Sequence, residues 1–510
     1  MKKERNRGIK LPSRLILAGL LILLQIVVTI TIVYVLTIQL APLYILFNII
    51  GLIMITYIIN RRGNPDYKLA WIVFIMISPI VCGFMFLIWG NGKMRPKVKK
   101  RLNFVQTKTR KSLVYESNVY QELCQKHPTH CSESTILFNE SRFPAYTDTS
   151  VEYLSPGEVF FPKLLEALQS AEKYIFIEFF ILAKGYMWDR IFQILKEKAK
   201  HGVEIKIIFD DFGSISRQDR NFIKRLKNCG IKVVAFNPVR PSVDLFLNNR
   251  DHRKIVVVDG YIGITGGINI GDEYINRTNP FGYWLDSAVI LRGKATANLV
   301  VAFCEMWSTI NKEYLSPDKY LIDDFIKVNG FVQPYCDDPL QAETPAKDLY
   351  CQILSNARKY VYITTPYLIL DNTTINYLTL AAKSGIDVRI ITPKIRDKWY
   401  VHPVTQFNYE ELLEAGIRIF EFSKGFIHSK SFVSDDEVAT VGTVNMDYRS
   451  FYFHFECGTW ICGNETVNEI RDHFLKTQSE SNEIILAKWK KRPLKKKLKE
   501  SILHIFAPFM

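Results

Sequence analysis

Two stretches, His252-Arg253-Lys254-Ile255-Val256-Val257-Val258-Asp259 and His428-Ser429-Lys430-Ser431-Phe432-Val433-Ser434-Asp435, share the pattern H-x-K-x4-D. Each is followed by a small-residue turn ending in an amide, Gly266-Gly267-Ile268-Asn269 and Gly442-Thr443-Val444-Asn445. His252 to His428 and Asn269 to Asn445 are both steps of 176 residues, so the chain contains an internal repeat. One H-x-K carries little information in a chain of this length. Two copies in matching contexts with a common offset mark a site.

The first motif runs into Ile255-Val256-Val257-Val258, an apolar run expected to be a strand buried on both faces. On a strand, positions i and i+2 share a face, so His252 pairs with Lys254 while Arg253 points away. The middle position can therefore be Arg in one copy and Ser in the other. Asp259 opens an Asp-Gly turn at an odd offset from His252, and we expect Asp259 and Asp435 to support the site more than to act as acid or base.

A phosphate diester resists attack because its oxygens are negative and its leaving group is poor. Positive charge, a nucleophile and an acid overcome this. Lys254 and Lys430, with Asn269 and Asn445, can supply the first. A neutral histidine can attack and a protonated one can donate, since an ordinary imidazole titrates at about 6.5. Each imidazole needs a partner on its other nitrogen. Asp286, in Tyr283-Trp284-Leu285-Asp286, and Glu456, in Phe453-His454-Phe455-Glu456, lie downstream of the two motifs at comparable distances and are the candidates. On this reading two histidines and two lysines, brought together by a pseudo-two-fold axis, break a phosphodiester through a covalent intermediate.

The repeat extends beyond the motifs. Residues 171–177 match 357–363, residues 202–208 match 385–391, and Cys229-Gly230-Ile231-Lys232-Val233 matches Ala415-Gly416-Ile417-Arg418-Ile419. In each half helical patterns alternate with short β-rich runs, which predicts an α/β fold with mixed sheets in two homologous lobes, 142–330 and 331–487. Neither half holds a complete site, so the two lobes are expected to form one shared active site.

The paired motifs resemble those of the phospholipase D superfamily, and the chain up to Pro508 resembles the bacterial cardiolipin synthases. Supporting phrases are Tyr174-Ile175-Phe176-Ile177-Glu178, Phe209-Asp210-Asp211-Phe212-Gly213-Ser214, Thr365-Pro366-Tyr367 and Gly425-Phe426-Ile427-His428. The resemblance implies transfer without metal or cofactor. One histidine takes a phosphatidyl group from phosphatidylglycerol, releasing glycerol, and a second phosphatidylglycerol accepts it to give cardiolipin. It favours His252 as nucleophile, although the sequence is symmetric on this point. Thr443 departs from the Ser or Gly usual in that turn but keeps a hydroxyl.

Composition bounds the setting. The 510 residues carry a net charge of +15 and nine cysteines, an odd number without regular spacing, which argues against a disulfide framework and for a reducing compartment. The cluster Cys124, His127, His130, Cys131 mimics a metal site, but Pro128 divides it and no second ligand pair follows. It is expected to be a solvated loop, with no metal.

Residues 15–59 contain no charge, a run of 45, where one membrane-spanning helix needs about 20. Two helices with a break near Gln39-Leu40-Ala41-Pro42 are expected. A third apolar stretch at 69–89, interrupted by Pro79 and Gly83, reads as either a re-entrant segment or, as its length permits, a third ordinary span, with the basic flanks favouring re-entry. Residues 1–92 thus form a membrane anchor. Its basic flanks, Lys2, Lys3, Arg5, Arg7, Lys10 and Arg14 before it and Arg61, Arg62 and Lys68 within it, predict cytoplasmic ends and a cytoplasmic body in a multi-pass cell-membrane protein. A basic linker, 93–141, and a basic amphipathic tail, 488–510, both suit an anionic membrane surface. Nucleic acid would also explain the positive charge, but the membrane segments argue against it. Two rivals stand beside the synthase reading: a phospholipase D or other phosphatidyltransferase, and an inactive scaffold that binds anionic lipid.

Overall fold

The computed structural model describes residue 20 and residues 23–31, 41–61, 63–90, 96–238, 249–322, 328–341 and 343–510. The basic flank at 2–14, Arg62, the Gln39-Leu40 part of the expected break, and Lys93 with Arg95 lie outside the described residues. The chain divides into two compact units, Met1–Asn91 and Gly92–Met510.

In the first unit an uncharged 20-residue helix covers Ala41–Asn60. Asn64 starts the next helix, Pro65–Ile77: its Oδ1 accepts the Asp66 and Tyr67 N–H groups at 2.8 and 3.2 Å, and Pro65 fills the first helical position. The helix breaks at Ser78, and Pro79 opens a shorter one, Pro79–Met85, followed by a π-turn at Phe86–Gly90. Glycines allow close packing here, for a Cβ on Gly83 would sit 2.9 Å from the Met54 sulfur. Counting only described residues, no helix is long and apolar enough to cross a membrane.

The second unit is a mixed α/β body built on two sheets. The first sheet uses β1 (Thr149–Leu154), β2 (Tyr174–Phe179), β3 (Glu204–Asp210), β4 (Lys232–Phe236), β6 (Lys254–Val258), β7 (Ile262–Gly266) and β9 (Ala288–Gly293), in the order β1-β9-β7-β6-β2-β3-β4. Two short strands stand outside it, β5 (Arg250–Asp251) and β8 (Tyr283–Leu285). The second sheet repeats the plan with β10 (Phe331–Asp337), β11 (Tyr360–Thr364), β12 (Asp387–Pro393), β13 (Arg418–Phe422), β15 (Ser431–Ser434), β16 (Val438–Gly442) and β17 (His454–Cys462), in the order β10-β17-β16-β15-β11-β12-β13. The strand β18 (Ser481–Glu483) extends its edge, and β14 (Gly425–Ile427) pairs elsewhere. In each sheet three strands run parallel (β2, β3, β4; β11, β12, β13) and the motif strand β6 or β15 lies antiparallel beside the first of them. The central strands β2 and β11 and the motif strands β6 and β15 are buried throughout, with apolar residues such as Ile175, Val256, Val361 and Phe432 beside the buried polar groups of the motifs.

The helix Thr296–Asn311 lies in the core shared by the sheets. Leu299, Val300 and Phe303 are fully buried in a cluster with Phe176 and Val257 of one sheet and Val433 and Val441 of the other. Asn298 adds polar ties, donating to the carbonyls of Pro144 at 2.9 Å and Pro334 at 2.8 Å.

The expected linker is not one. From residue 96 it forms the helices Pro96–Thr109, Ser117–Lys126 and Cys131–Ser141. Val98, Leu102 and Val105 recur at helical spacing beneath the lysines, and Leu102 and Val105 are buried. The basic residues fasten the helix: Lys99 donates to the Leu340 carbonyl at 2.8 Å and Arg110 pairs with Glu305 at 2.8 Å. The cysteine-histidine cluster is likewise not a solvated loop. Cys124 and Cys131 form a disulfide, leaving seven free cysteines. His130 is buried with Nδ1 2.9 Å from Glu133, a carboxylate that also accepts the Trp460 indole N–H at 2.8 Å.

Candidate active site

Each motif histidine is set by a strand of the other lobe. The short strand β5 pairs in parallel with the start of β17, and the His252 N–H that follows donates to the Phe455 carbonyl at 2.9 Å. Correspondingly, β14 pairs in parallel with β8, and the His428 N–H donates to the Leu285 carbonyl at 2.7 Å. The residue after each accepting carbonyl is an acid. His252 Nδ1 lies 2.9 Å from Glu456, and His428 Nδ1 lies 2.6 Å from Asp286. The sequence singled out both carboxylates; the structure crosses them between lobes.

Around this frame the motifs close up locally. Lys254 Nζ donates to the His252 carbonyl at 2.5 Å, and Lys430 Nζ donates to that of His428. Arg253 turns away into an ion pair with Glu178 at 2.5 Å, whereas the Ser429 hydroxyl meets that of Ser287 at 2.5 Å. Thr443 donates its hydroxyl to Glu456. At the matching place in the first lobe, Gly267 is required, because a Cβ there would sit 2.2 Å from Asp286 Oδ1. Asp210, in the first half of the Asp-Asp-Phe-Gly-Ser phrase, positions β5 by accepting the Asp251 N–H at 3.0 Å.

The remaining candidates separate. Asn269 is engaged with its own lobe, accepting the Ile181 N–H at 3.0 Å and donating to the Tyr274 hydroxyl at 2.8 Å. Asn445 Oδ1 is buried without a hydrogen-bond partner among the described residues. Asp259 and Asp435 sit beyond the far ends of the motif strands, away from the imidazoles. Each adopts a positive φ (52° and 57°) and accepts three consecutive backbone N–H groups: those of Glu172, Lys173 and Tyr174 at 2.7–2.8 Å, and those of Arg358, Lys359 and Tyr360 at 2.6–2.9 Å. They staple the loop that enters each central strand.

Burial governs the electrostatics. It holds His252 down at about 3 and His428 at about 4, with Lys254 and Lys430 respectively adding to the effect, so both imidazoles are neutral near pH 7. Burial also lowers the lysines, Lys254 to about 8 and Lys430 to about 7, although Glu456 and Asp286 pull the other way. Burial opposes the charge on Glu456 and Asp286, but the neighbouring basic groups outweigh it and both stay below the ordinary carboxylate range. Lys254 also depresses His428, and Lys430 responds to Glu456, so the charged groups of the two lobes share one field.

Sequence reading passed over a third histidine. His454, at the start of β17, is buried, with its ring 5.5 Å from that of His252 and Nδ1 3.5 Å from Glu456. It stands in the quoted phrase with Glu456, and the signal was its i, i+2 spacing on one strand face. His252, His454 and Glu456 offer three donor atoms within 4.8 Å of one another, a set that could hold a metal ion. Aromatic rings wall the site: Phe180 is 5.1 Å from His252, and Trp284 and Tyr274 are 5.2 and 5.8 Å from His428.

Residues 164–307 and 350–477, one segment in each lobe, match the family model described as "Cardiolipin synthase, PLD-like domain". A cardiolipin synthase of Geobacillus sp. (strain WCH70) is 33% identical over 460 residues, covering 88% of this chain and 90% of that protein. The chain belongs to the cardiolipin synthase family. Other relatives of this cardiolipin synthase family member include a cardiolipin synthase 2 of Bacillus anthracis, 31% identical over 88% of this chain and 87% of its own. An uncharacterized protein of Streptococcus mutans is 38% identical over 89% of this chain and 98% of its own. Among solved structures, a phosphatidylserine synthase of Haemophilus influenzae shares the fold, with a TM-score of 0.56 and 14% identity over 74% of this chain and 98% of its own. As a member of the cardiolipin synthase family, the chain is an enzyme of the phosphatidyltransferase class.

Proposed function

We propose that this enzyme makes cardiolipin from two molecules of phosphatidylglycerol through a phosphohistidine. The observation that carries the reading is the crossed pairing of His252 with Glu456 and of His428 with Asp286. A carboxylate on Nδ1 holds that nitrogen protonated and leaves Nε2 to act, so the two imidazoles are prepared for opposite roles at one phosphorus. His252 Nε2 attacks the phosphodiester, the bond to the departing glycerol breaks, and His428 donates the proton that glycerol takes up. The hydroxyl of a second phosphatidylglycerol then gives its proton back to His428 and attacks the phosphohistidine, releasing His252. Lys254 and Lys430 stabilise the equatorial oxygens. The anionic phosphate raises the His428 pKa on arrival, which is how a histidine neutral in the resting site becomes the acid.

Water is the competing acceptor, and a dry, lipid-facing site disfavours it. We assign membrane attachment to the uncharged run 15–59 as a whole. Within it the helix Ala41–Asn60 carries no charged residue. Its described side chains, such as Ile45, Leu52 and Ile53, are exposed apolar groups. The break at Ser78–Pro79 supports a re-entrant third segment, and the basic flanks support a body on the cytoplasmic side.

Radiolabelled phosphatidylglycerol supplied in mixed micelles tests the reading. Cardiolipin with an equivalent of glycerol is the expected product. Phosphatidic acid would instead make the enzyme a hydrolase, and no turnover would make it a lipid-binding scaffold.

A further inference from the structure

The helix Leu494–His504 is inverted: its apolar stripe faces outward and its one acidic residue is buried. Leu494, Leu498 and Ile502 recur every four residues, Ile505 at the cap continues the same side, and Phe506 follows it. They are 80%, 58%, 51%, 45% and 41% exposed. Glu500 is 2% exposed and is held by both oxygens on Arg492, at 2.8 and 2.9 Å. The Arg492 guanidinium in turn lies 3.5 Å over the Trp489 ring.

The inner face is firmly seated. His504 stacks on Phe407 at 3.9 Å, and Leu503, Ala507 and Met510 pack with Ile369, Val401, Val404 and Tyr448. The Arg449 N–H donates to the Met510 carbonyl at 3.0 Å, which ties this segment to the helix Tyr448–Tyr452, three residues after Asn445. A helix free to bury its leucines would turn over. This one is locked with them outside, whereas a water-facing helix carries its polar residues there.

We propose that the Leu494–His504 face is a docking surface for an anionic lipid bilayer, into which Leu494, Leu498 and Ile502 insert. Charge selects this occupant. At about 100° per residue exposed Lys495 and Lys499 border the stripe on one edge, while Lys497 on the other is half-buried and paired with Glu410 at 3.4 Å, so the cationic edge is that of Lys495 and Lys499. Trp399, 60% exposed, lies beside Lys499, whose Nζ is 5.8 Å from its ring centre, and adds an amphipathic ring at the same edge. The contact would hold the turn at Asn445 near the surface from which lipid substrates come. The inference rests on the membrane location proposed above and not on the reaction.

The test uses the full chain in nanodiscs, with an environment-sensitive fluorescent amino acid at position 498 or, as control, at exposed Lys383. In discs containing phosphatidylglycerol, lipid-borne quencher should reduce emission at 498 and leave 383 unchanged, with iodide doing the reverse. Lys495→Glu with Lys499→Glu should weaken lipid quenching, by on the order of fivefold in partition per lysine. Both positions are at the surface, so an unchanged Tm certifies the fold. Iodide quenching at 498 with no lipid quenching would overturn the proposal. So would protection of 498 in detergent that disappears on dilution, which would give the face to a second copy of the chain. Cardiolipin formation is measured on the same discs: lipid quenching without synthesis leaves docking standing and removes only the reaction.

Discussion

His252 Nδ1 lies 2.9 Å from a carboxylate oxygen of Glu456, although the two residues are 204 positions apart and belong to different lobes. With the matching pair His428 and Asp286, each motif imidazole is oriented by a lobe other than its own. The arrangement explains why the motif must occur twice. A single lobe would offer a histidine without its tautomer partner and a carboxylate buried without a cation, which is costly.

Glu456→Gln and Asp286→Asn are therefore expected to cut turnover severely while keeping the fold. An amide cannot hold the Nδ1 proton in the same way, and replacing the equivalent carboxylate in serine hydrolases costs up to about 10⁴ in rate. Single-turnover measurements with labelled donors separate the two. Phosphoenzyme formation and departure of glycerol are one step, which both variants should slow, and a donor with a better leaving group than glycerol should restore the rate in Asp286→Asn but not in Glu456→Gln. Near wild-type rates in either variant would remove that pair from the mechanism.

The lysines predict a pH dependence. Their working form is protonated, and burial brings Lys430 down to about 7 and Lys254 to about 8. The charge is thus present below that window and is lost as pH rises through it. In the free enzyme kcat/KM should fall across it. Lys430→Arg, which stays charged, should flatten the lower part of the decline, and Lys430→Ala should lose about a hundredfold or more below the window, a deficit that narrows as pH rises through it.

How much of this was legible varies with the physics of each part. The repeat, the mixed α/β lobes and the two carboxylates could be read because strand alternation and fixed spacing are local signals. The crossing of Glu456 to His252 could not, since it depends on which strand edges meet after folding. The helix Pro96–Thr109 was hidden because its five lysines and arginines masked the Val98, Leu102, Val105 spacing. The disulfide of Cys124 with Cys131 depends on a turn that brings their Cα atoms to 5.1 Å, a distance that spacing alone does not give.

Asp259→Asn and Asp435→Asn should act on stability. Each carboxylate accepts three backbone N–H groups, and an amide has one acceptor oxygen and presents an N–H group where the second stood. A cost of about 1–3 kcal/mol per group left unsatisfied is expected, read as a lower Tm. At temperatures where the variants stay folded, kcat should stay close to wild type. A large fall in kcat without a change in Tm would return these residues to the chemistry.

Turnover is expected to survive exhaustive chelation, because Lys254 and Lys430 supply the cationic charge at the site. The decisive comparison is activity after dialysis against chelator, with single divalent metals added back. A loss restored by one specific metal would shift the role to His252, His454 and Glu456, whose donor atoms lie within 4.8 Å of one another.

Charge at the first turn bears on which side of the membrane the body occupies. Arg61 and Lys68 flank the turn between the helices Ala41–Asn60 and Pro65–Ile77, and short basic flanks prefer the cytoplasm. If 15–59 crosses twice and 69–89 returns at Ser78–Pro79, the body is cytoplasmic. If 69–89 crosses fully, the body is outside, where the Cys124–Cys131 disulfide would also be stable. Ser384, exposed at the end of the helix Asn372–Lys383, is a suitable reporter, whereas Ser141 is buried. With Ser384→Cys in intact cells, an impermeant thiol reagent should label only after permeabilisation. The native protein serves as the background control for its seven free cysteines. Labelling of the introduced thiol from outside would put the catalytic body on the outer face and make 69–89 a full span.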